Sequence, residues 1–182
     1  MHAGGTSGIR RGRCETHDGD AHLLRYVVEL PHPMARVWAA VATPEGLRQW
    51  LCAAEPLEPR LGGRVTLRRF DSDAVASGRV TAWDPEYVAE YTVDPPHGRI
   101  RFHLEPGRPD AAGSAVLRFT AEFRGTREVK LDMLAGWHEQ LERLLDALDG
   151  RPTDWLDWSA DRREELRELY ARDDAPWPKW VP

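Results

Sequence analysis

The sequence predicts an α+β fold: a curved antiparallel sheet of six to seven strands wrapped around a long C-terminal helix, with two short helices after the first strand. Three observations predict it. Between residues 64 and 123, five short stretches of alternating character are separated by turns bearing Gly, Pro or Asp, too close together for the crossover helices that parallel strands need. Residues 127–149 carry one apolar stripe at three- and four-residue steps, the mark of a helix with one buried face. Strands grouped together and helices set apart give a sheet covered on one side rather than a set of alternating units.

Each element follows from its own residues. HLLRYVVEL (22–30) is rich in Tyr and Val and reads as a strand. Pro31 and Pro33 end it, and Pro33 suits the first turn of a helix, where its missing N–H would be unpaired anyway. Met34, Val37, Trp38 and Val41 then fall at helical spacing, giving a short amphipathic helix over 33–42. Thr43-Pro44-Glu45 starts a second one, with Thr as N-cap, Pro at the first position and an acid in the first turn. Gly62-Gly63 turns into a strand at 64–70, and strands follow at 76–83, 87–94, 99–105 and 114–123. In the fourth of these five, Ile100, Phe102 and Leu104 share one face, while Arg101 and His103 share the other with solvent. Leu134, Trp137, Leu141, Leu144, Leu145 and Leu148 form the stripe of the long helix, and Gly150 stands just past its end as a stop.

Three segments are expected: a flexible arm over 1–21, a folded domain over 22–150, and a Trp-rich extension over 151–182 with a short surface helix. The arm is polar and Gly-rich with no apolar period. In the extension, Leu166, Leu169 and Tyr170 make a narrow apolar stripe in a charged stretch, and DDAPWPKWVP (173–182) reads as irregular. Of eight Trp, four (155, 158, 177 and 180) lie in this extension. They are too apolar to stand in water, so docking back onto the domain is the favoured reading, ahead of a lid over a cavity or a contact across a homodimer.

Composition excludes several function classes. The net charge is −5 and no segment concentrates base: the arm, the domain and the extension carry 0, −3 and −2. Nucleic acid is therefore not an expected partner. No apolar run approaches the ~20 residues that span a bilayer, and the first twenty residues hold no hydrophobic leader, so a cytoplasmic location is expected. Cys14 and Cys52, 38 positions apart, match no ligand or redox spacing and read as free thiols. The seven His fall into no metal-binding spacing, and no phosphate loop or nucleophile elbow is present. Neither a metal nor a cofactor is expected.

The stretches LPHPMARVWAAVATPEGLRQWL (30–51), LGGRVTL (61–67), SGRVTAWDPEYVAEYTV (77–93) and LAGWHEQLERLLDAL (134–148), in this order, resemble the START-like, or SRPBCC, superfamily with its helix-grip fold. Within it, the chain resembles the homologues of the heat-shock chaperone ATPase activator, over about 22–150. The resemblance implies a cavity between sheet and long helix that holds a small hydrophobic molecule. It also implies two alternatives on the same scaffold: an enzyme of the polyketide cyclase, aromatase or hydrolase kind, or a co-chaperone-like interaction module. No catalytic signature carries over residue by residue, so no catalytic residue is assigned and a non-enzymatic role is favoured.

For the cavity, seven residues are the candidate ligand-binding set: Phe70, Tyr91, Phe102, Phe119, Met133, Trp137 and Leu141. They are large and apolar and stand on the strands or the helix face that enclose the space, although ordinary core packing uses the same residue types. Arg101 and His103 lie opposite Phe102 and cannot face inward together with it.

Overall fold

The computed structural model describes residues 8–174. Its elements are β1 (Arg13–His17), β2 (Ala21–Leu30), α1 (Met34–Ala42), α2 (Pro44–Arg48), β3 (Ala53–Leu57), β4 (Arg64–Arg68), β5 (Val75–Asp84), β6 (Val88–Val93), β7 (Gly98–Pro106), β8 (Ala115–Arg124), α3 (Arg127–Leu148) and α4 (Asp161–Asp173). The eight strands form one antiparallel sheet in the order β1-β2-β8-β7-β6-β5-β4-β3. From β3 to β8 the chain is a meander of neighbours. The pairing of β2 with β8, from Ala21↔Arg124 to Leu30↔Ala115, joins segments far apart in sequence.

The two-residue period of the strands sorts their side chains by face. Tyr26 and Val28 of β2, Ile100, Phe102 and Leu104 of β7, and Leu117, Phe119 and Ala121 of β8 are all buried on the inner face. Arg101 and His103 lie on the outer face, partly exposed, as their alternation requires. Against the inner face α3 lays Leu131, Leu134, Trp137, Leu141, Leu144 and Leu148, all buried. Thr126 caps this helix, its hydroxyl accepting from the Val129 N–H at 3.3 Å. Gly150, at φ 86°, makes the left-handed turn that ends it.

Between sheet and helices the core is aromatic. Trp50 meets Phe102 edge-on with ring centroids 6.0 Å apart, Phe102 meets Phe119 at 5.3 Å, and Phe119 meets Trp137 at 4.4 Å. Three polar tips in this region have partners, as buried tips require. The Trp50 indole N–H donates to Ala40 O at 2.8 Å, the Tyr91 hydroxyl to Val41 O at 2.9 Å, and the Tyr26 hydroxyl to Leu134 O at 2.6 Å. These bonds tie α1, α2 and the sheet together, and pin α3 to β2. Thr43 caps α2 by accepting from the Gly46 N–H at 3.1 Å. Glycine is required at 46, because a Cβ there would stand 1.9 Å from Ala39 O of α1.

The structure corrects two expectations. Eight strands replace the six to seven expected, because β1 and β3 have polar or Pro-bearing sequences with little alternation. β1 lies within the segment read as a flexible arm. It pairs with β2 through a turn at Asp18-Gly19, both at positive φ (53° and 83°), a region Asp and Gly enter most readily. β3 is an edge strand with an irregularity between Ala54 and Leu57, a place where Pro56 is tolerated. In addition, α4 is more than a surface helix, since Leu166 and Tyr170 are buried against the rest of the chain.

The Tyr170 hydroxyl accepts from the Gly12 N–H at 2.8 Å and shares a hydrogen bond with His138 Nδ1 of α3 at 2.7 Å. Charged pairs surround this joint: Arg11 with Asp173 at 2.7 Å, Lys130 with Asp174 at 2.6 Å, and Arg167 with Asp132 at 2.6 Å. Arg11–Asp173 and Arg167–Asp132 are surface pairs that contribute only about 0–1 kcal/mol each, so apolar burial, with the half-buried Lys130–Asp174 pair, carries the docking of α4. Trp155 also packs back. Its ring lies 4.8 Å from that of Phe70, and its N–H donates to Arg48 O at 3.0 Å. Of the irregular end expected over 173–182, Asp173 instead closes α4 and Asp174 caps it, while residues 175–182 with Trp177 and Trp180 lie outside the described residues, as do residues 1–7 of the arm.

Two measurements test this packing. Phe102→Ala removes a fully buried ring that touches Trp50, Tyr91 and Phe119, so urea unfolding is expected to show a loss of about 3–5 kcal/mol. His138 is pushed down to about 4 by burial, with Arg162 and Arg11 adding to the effect. Its folded value lies below the unfolded one, so between about 6.5 and 4 the unfolded chain takes up a proton that the folded chain refuses. The stability is full above this window and falls as pH drops through it, by at most about 1.4 kcal/mol per pH unit for one group. Melting curves at pH 7, 6 and 5 are expected to show the loss, and His138→Gln to flatten it.

Candidate ligand-binding cleft

The aromatic rings fill the centre of the sheet and leave one side open. Beside Trp137, between α3 and the β4–β5–β7 region, a cleft of about 190 Å³ remains. Leu51, Leu67, Ala76 and Ile100 face it from the sheet side, and Met133, Gly136 and Trp137 from α3. An empty apolar cavity of about 150 Å³ takes up benzene, so this space suits one ring with a substituent. It is small beside the roughly 300–1,000 Å³ of drug-sized sites.

Gly136 keeps the cleft open. A Cβ added there meets nothing within 4 Å, and the residue stands in mid-helix. Glycine in a helix interior costs about 0.5–1 kcal/mol relative to Ala, and no packing demand among the described residues accounts for its presence. Cys52, buried in the lining, has its thiol pushed up to about 12 by burial. It is a neutral, unreactive wall at neutral pH.

At one end the lining turns polar, with Arg69, His97, Gln140 and Arg163. Arg69 binds Asp71 through two hydrogen bonds of 2.8 and 2.7 Å. Those bonds hold the Asp71 carboxyl below its ordinary range and raise Arg69. Arg163, reaching over from α4, stands 3.5 Å from Asp71 and 3.4 Å from Glu139. Arg143 binds Glu139 from one turn further along α3. The His97 imidazole is lowered by burial and, secondarily, by Arg69, which keeps it neutral at pH 7. Gln140 is buried, and its amide oxygen has no hydrogen-bond partner among the described residues.

Of the seven residues proposed from the sequence, Met133 and Trp137 line the cleft. Tyr91, Phe102, Phe119 and Leu141 are fully buried in the core beside it and form none of its wall. Phe70 lies outside, under Trp155 and 5.2 Å from the Arg48 guanidinium. Sequence reasoning missed Arg69, His97, Gly136, Gln140 and Arg163. Gly136 alone carried a signal, as a helix-breaking residue inside an apolar stripe. Among the described residues, no group of three His, Cys, Asp or Glu side chains could hold a metal ion, and no helix is long and apolar enough to cross a membrane.

An antiparallel sheet gripping a long helix, with a small apolar cleft left between them, defines the chain as a helix-grip protein of the START-like, or SRPBCC, class, a ligand-binding scaffold. More narrowly, the chain belongs to the family described as Activator of Hsp90 ATPase homolog 1-like protein, whose model matches residues 31–149. No curated protein matches the sequence. Solved structures confirm the fold. The solution structure of CalU16 from Micromonospora echinospora is 19% identical with a TM-score of 0.69, covering 94% of this chain and 97% of that one. DynU16, from the dynemicin biosynthetic locus, is 22% identical with a TM-score of 0.60, covering 71% of this chain and 48% of that one. The Aha1 dimer from Colwellia psychrerythraea is 19% identical with a TM-score of 0.58, covering 69% of this chain and 95% of that one.

The burial of Cys52 gives a direct probe of the cleft wall. Iodoacetamide at pH 8 is expected to leave Cys52 unmodified in the folded protein and to modify it in urea, as read by peptide mass spectrometry. Rapid native labelling of Cys52 would show that the wall opens.

Proposed function

We propose that the protein binds one small, mainly apolar molecule in the cleft between the sheet and α3, without transforming it. The observation that carries this reading is Gly136, which leaves open space in the middle of a packed helix face where any larger side chain would project into the cleft. The family supports it, since its scaffold is suited to enclosing ligands. The position of DynU16 in a biosynthetic locus accords with a small organic ligand.

A second reading is an acid–base enzyme of the cyclase or hydrolase kind on the same scaffold. One observation favours it: His97 is in the lining and neutral at pH 7, as a general base must be. Turnover that falls as pH drops through the His97 titration, and that is lost in His97→Gln, would select this reading over simple binding.

Binding is tested by displacement of an environment-sensitive dye together with native mass spectrometry. Gly136→Leu is expected to abolish dye binding while the melting temperature holds or rises, because the new side chain enters empty space and removes a helix-interior glycine. Trp137→Ala is expected to weaken binding and also to destabilise the protein by about 3–5 kcal/mol, since the ring packs on Phe119. Unchanged dye binding in Gly136→Leu would remove the cleft as the site.

A further inference from the structure

The charges behind the cleft do not balance, and their arrangement says which ligand would balance them. Three guanidiniums, those of Arg69, Arg143 and Arg163, share two carboxylates, those of Asp71 and Glu139. One positive charge is left in excess. The two carboxylates are sealed, with 5% and 4% of their side chains exposed, whereas Arg69 and Arg163 keep 26% and 27%. Both arginines are lining residues and neither carboxylate is. The cleft therefore meets cations in front and has the anions behind them.

Other charged groups leave this excess in place. Asp132, the carboxylate in the lining, shares Arg167 with Glu128, but both acids stand at the rim, 63% and 64% exposed, where solvent screens them. Arg48, beyond Phe70, adds positive charge to the same side. Hydrogen bonding inside the cluster is incomplete: Arg163 Nε and Glu139 Oε2 face each other at 3.4 Å without a hydrogen bond, and Arg143 Nη1 behind them has no acceptor among the described residues. Gln140, 3% exposed and also in the lining, has an amide oxygen without a partner among the described residues, and the flipped amide would turn its N–H there instead, toward an anion. A buried charge without a counter-charge is costly, and a ligand anion removes that cost.

We propose that the ligand is a monoanion, a ring-sized aryl or cyclic carboxylate. Its carboxylate meets Arg163 and Arg69 at the polar end, with Gln140 beside it. Its ring lies on Met133, Gly136 and Trp137. This rests on the binding function proposed above and adds to it the charge of the ligand. The size follows from the cleft volume of about 190 Å³, which admits a ring but not an extended lipid chain. The polarity follows from the arginines, whose planar donor pairs fit a carboxylate.

The test compares three single-ring probes of similar size on the full chain by isothermal titration calorimetry at pH 7: benzoate, benzamide and benzylammonium. The carboxylate is expected to bind at least about tenfold more tightly than the amide, the yield of one charge-assisted contact, and the ammonium most weakly. Arg163→Gln is expected to bring carboxylate and amide to within about twofold of each other, with Arg163→Lys restoring part of the preference. The ranking by the wild-type protein decides the matter even if these variants fail to fold. An amide that binds as tightly as the carboxylate, or more tightly, overturns the anionic ligand and leaves the apolar cleft standing. If none of the three binds, the binding function falls and the anionic ligand with it.

Discussion

The contact of Trp137 on Phe119, ring centroids 4.4 Å apart, sets how closely α3 can approach the sheet. Around it, Phe102 and Trp50 extend the ring packing across the inner face, and Tyr26 and Tyr91 spend their hydroxyls on helix carbonyls rather than on solvent. Close-packed rings cannot be compressed and have little freedom to slide. The helix is thus held against one half of the sheet, and the cleft lies on the β4–β5 side, beyond the reach of these rings. The position of the cleft is a consequence of where the aromatics are.

The polar end of that cleft is assembled from three parts of the chain distant in sequence. Asp71 follows β4, Glu139 and Arg143 stand on α3, and Arg163 comes from α4. Two pairs are local, Arg69–Asp71 in the loop after β4 and Glu139–Arg143 one turn apart on α3, and Arg163 joins them from α4. Formation of the network therefore requires that α4 dock, and docking depends on the burial of Leu166 and Tyr170 further along the helix. Apolar packing at one end of α4 positions a charge at the other.

The fold was largely legible because its signals are periodic. Alternation located β2 and β4 to β8, the stripe located α3, and Thr43 announced a helix start that the structure bears out with a hydrogen bond. β1 was missed although Asp18-Gly19 is a hairpin signal, because RCETH lacks the apolar alternation that gives such a turn its meaning. β3 was missed because Pro56 argues against a strand except at an edge, and edges are assigned by neighbours rather than by sequence. The site was less legible for a related reason. Periodicity tells which side chains turn inward, but not whether the space they enter is already full. Tyr91, Phe102 and Phe119 turn inward and fill it; Arg69, His97 and Arg163 come from a loop, a turn and a helix whose charge pattern reads as a solvated face.

Gly136 places stability and capacity in opposition. The helix gives up some of its intrinsic preference at that position, and the molecule keeps an interior volume that its own side chains could have occupied. Most single substitutions in a protein of this size lower stability, yet here the smallest one, a methyl group, raises helix propensity and shrinks the cleft at once. The two quantities can be exchanged in small steps along Ala, Ser and Val at one position, without touching the rings or the arginines. Relatives with differently sized ligands could diverge by this route while keeping the same core.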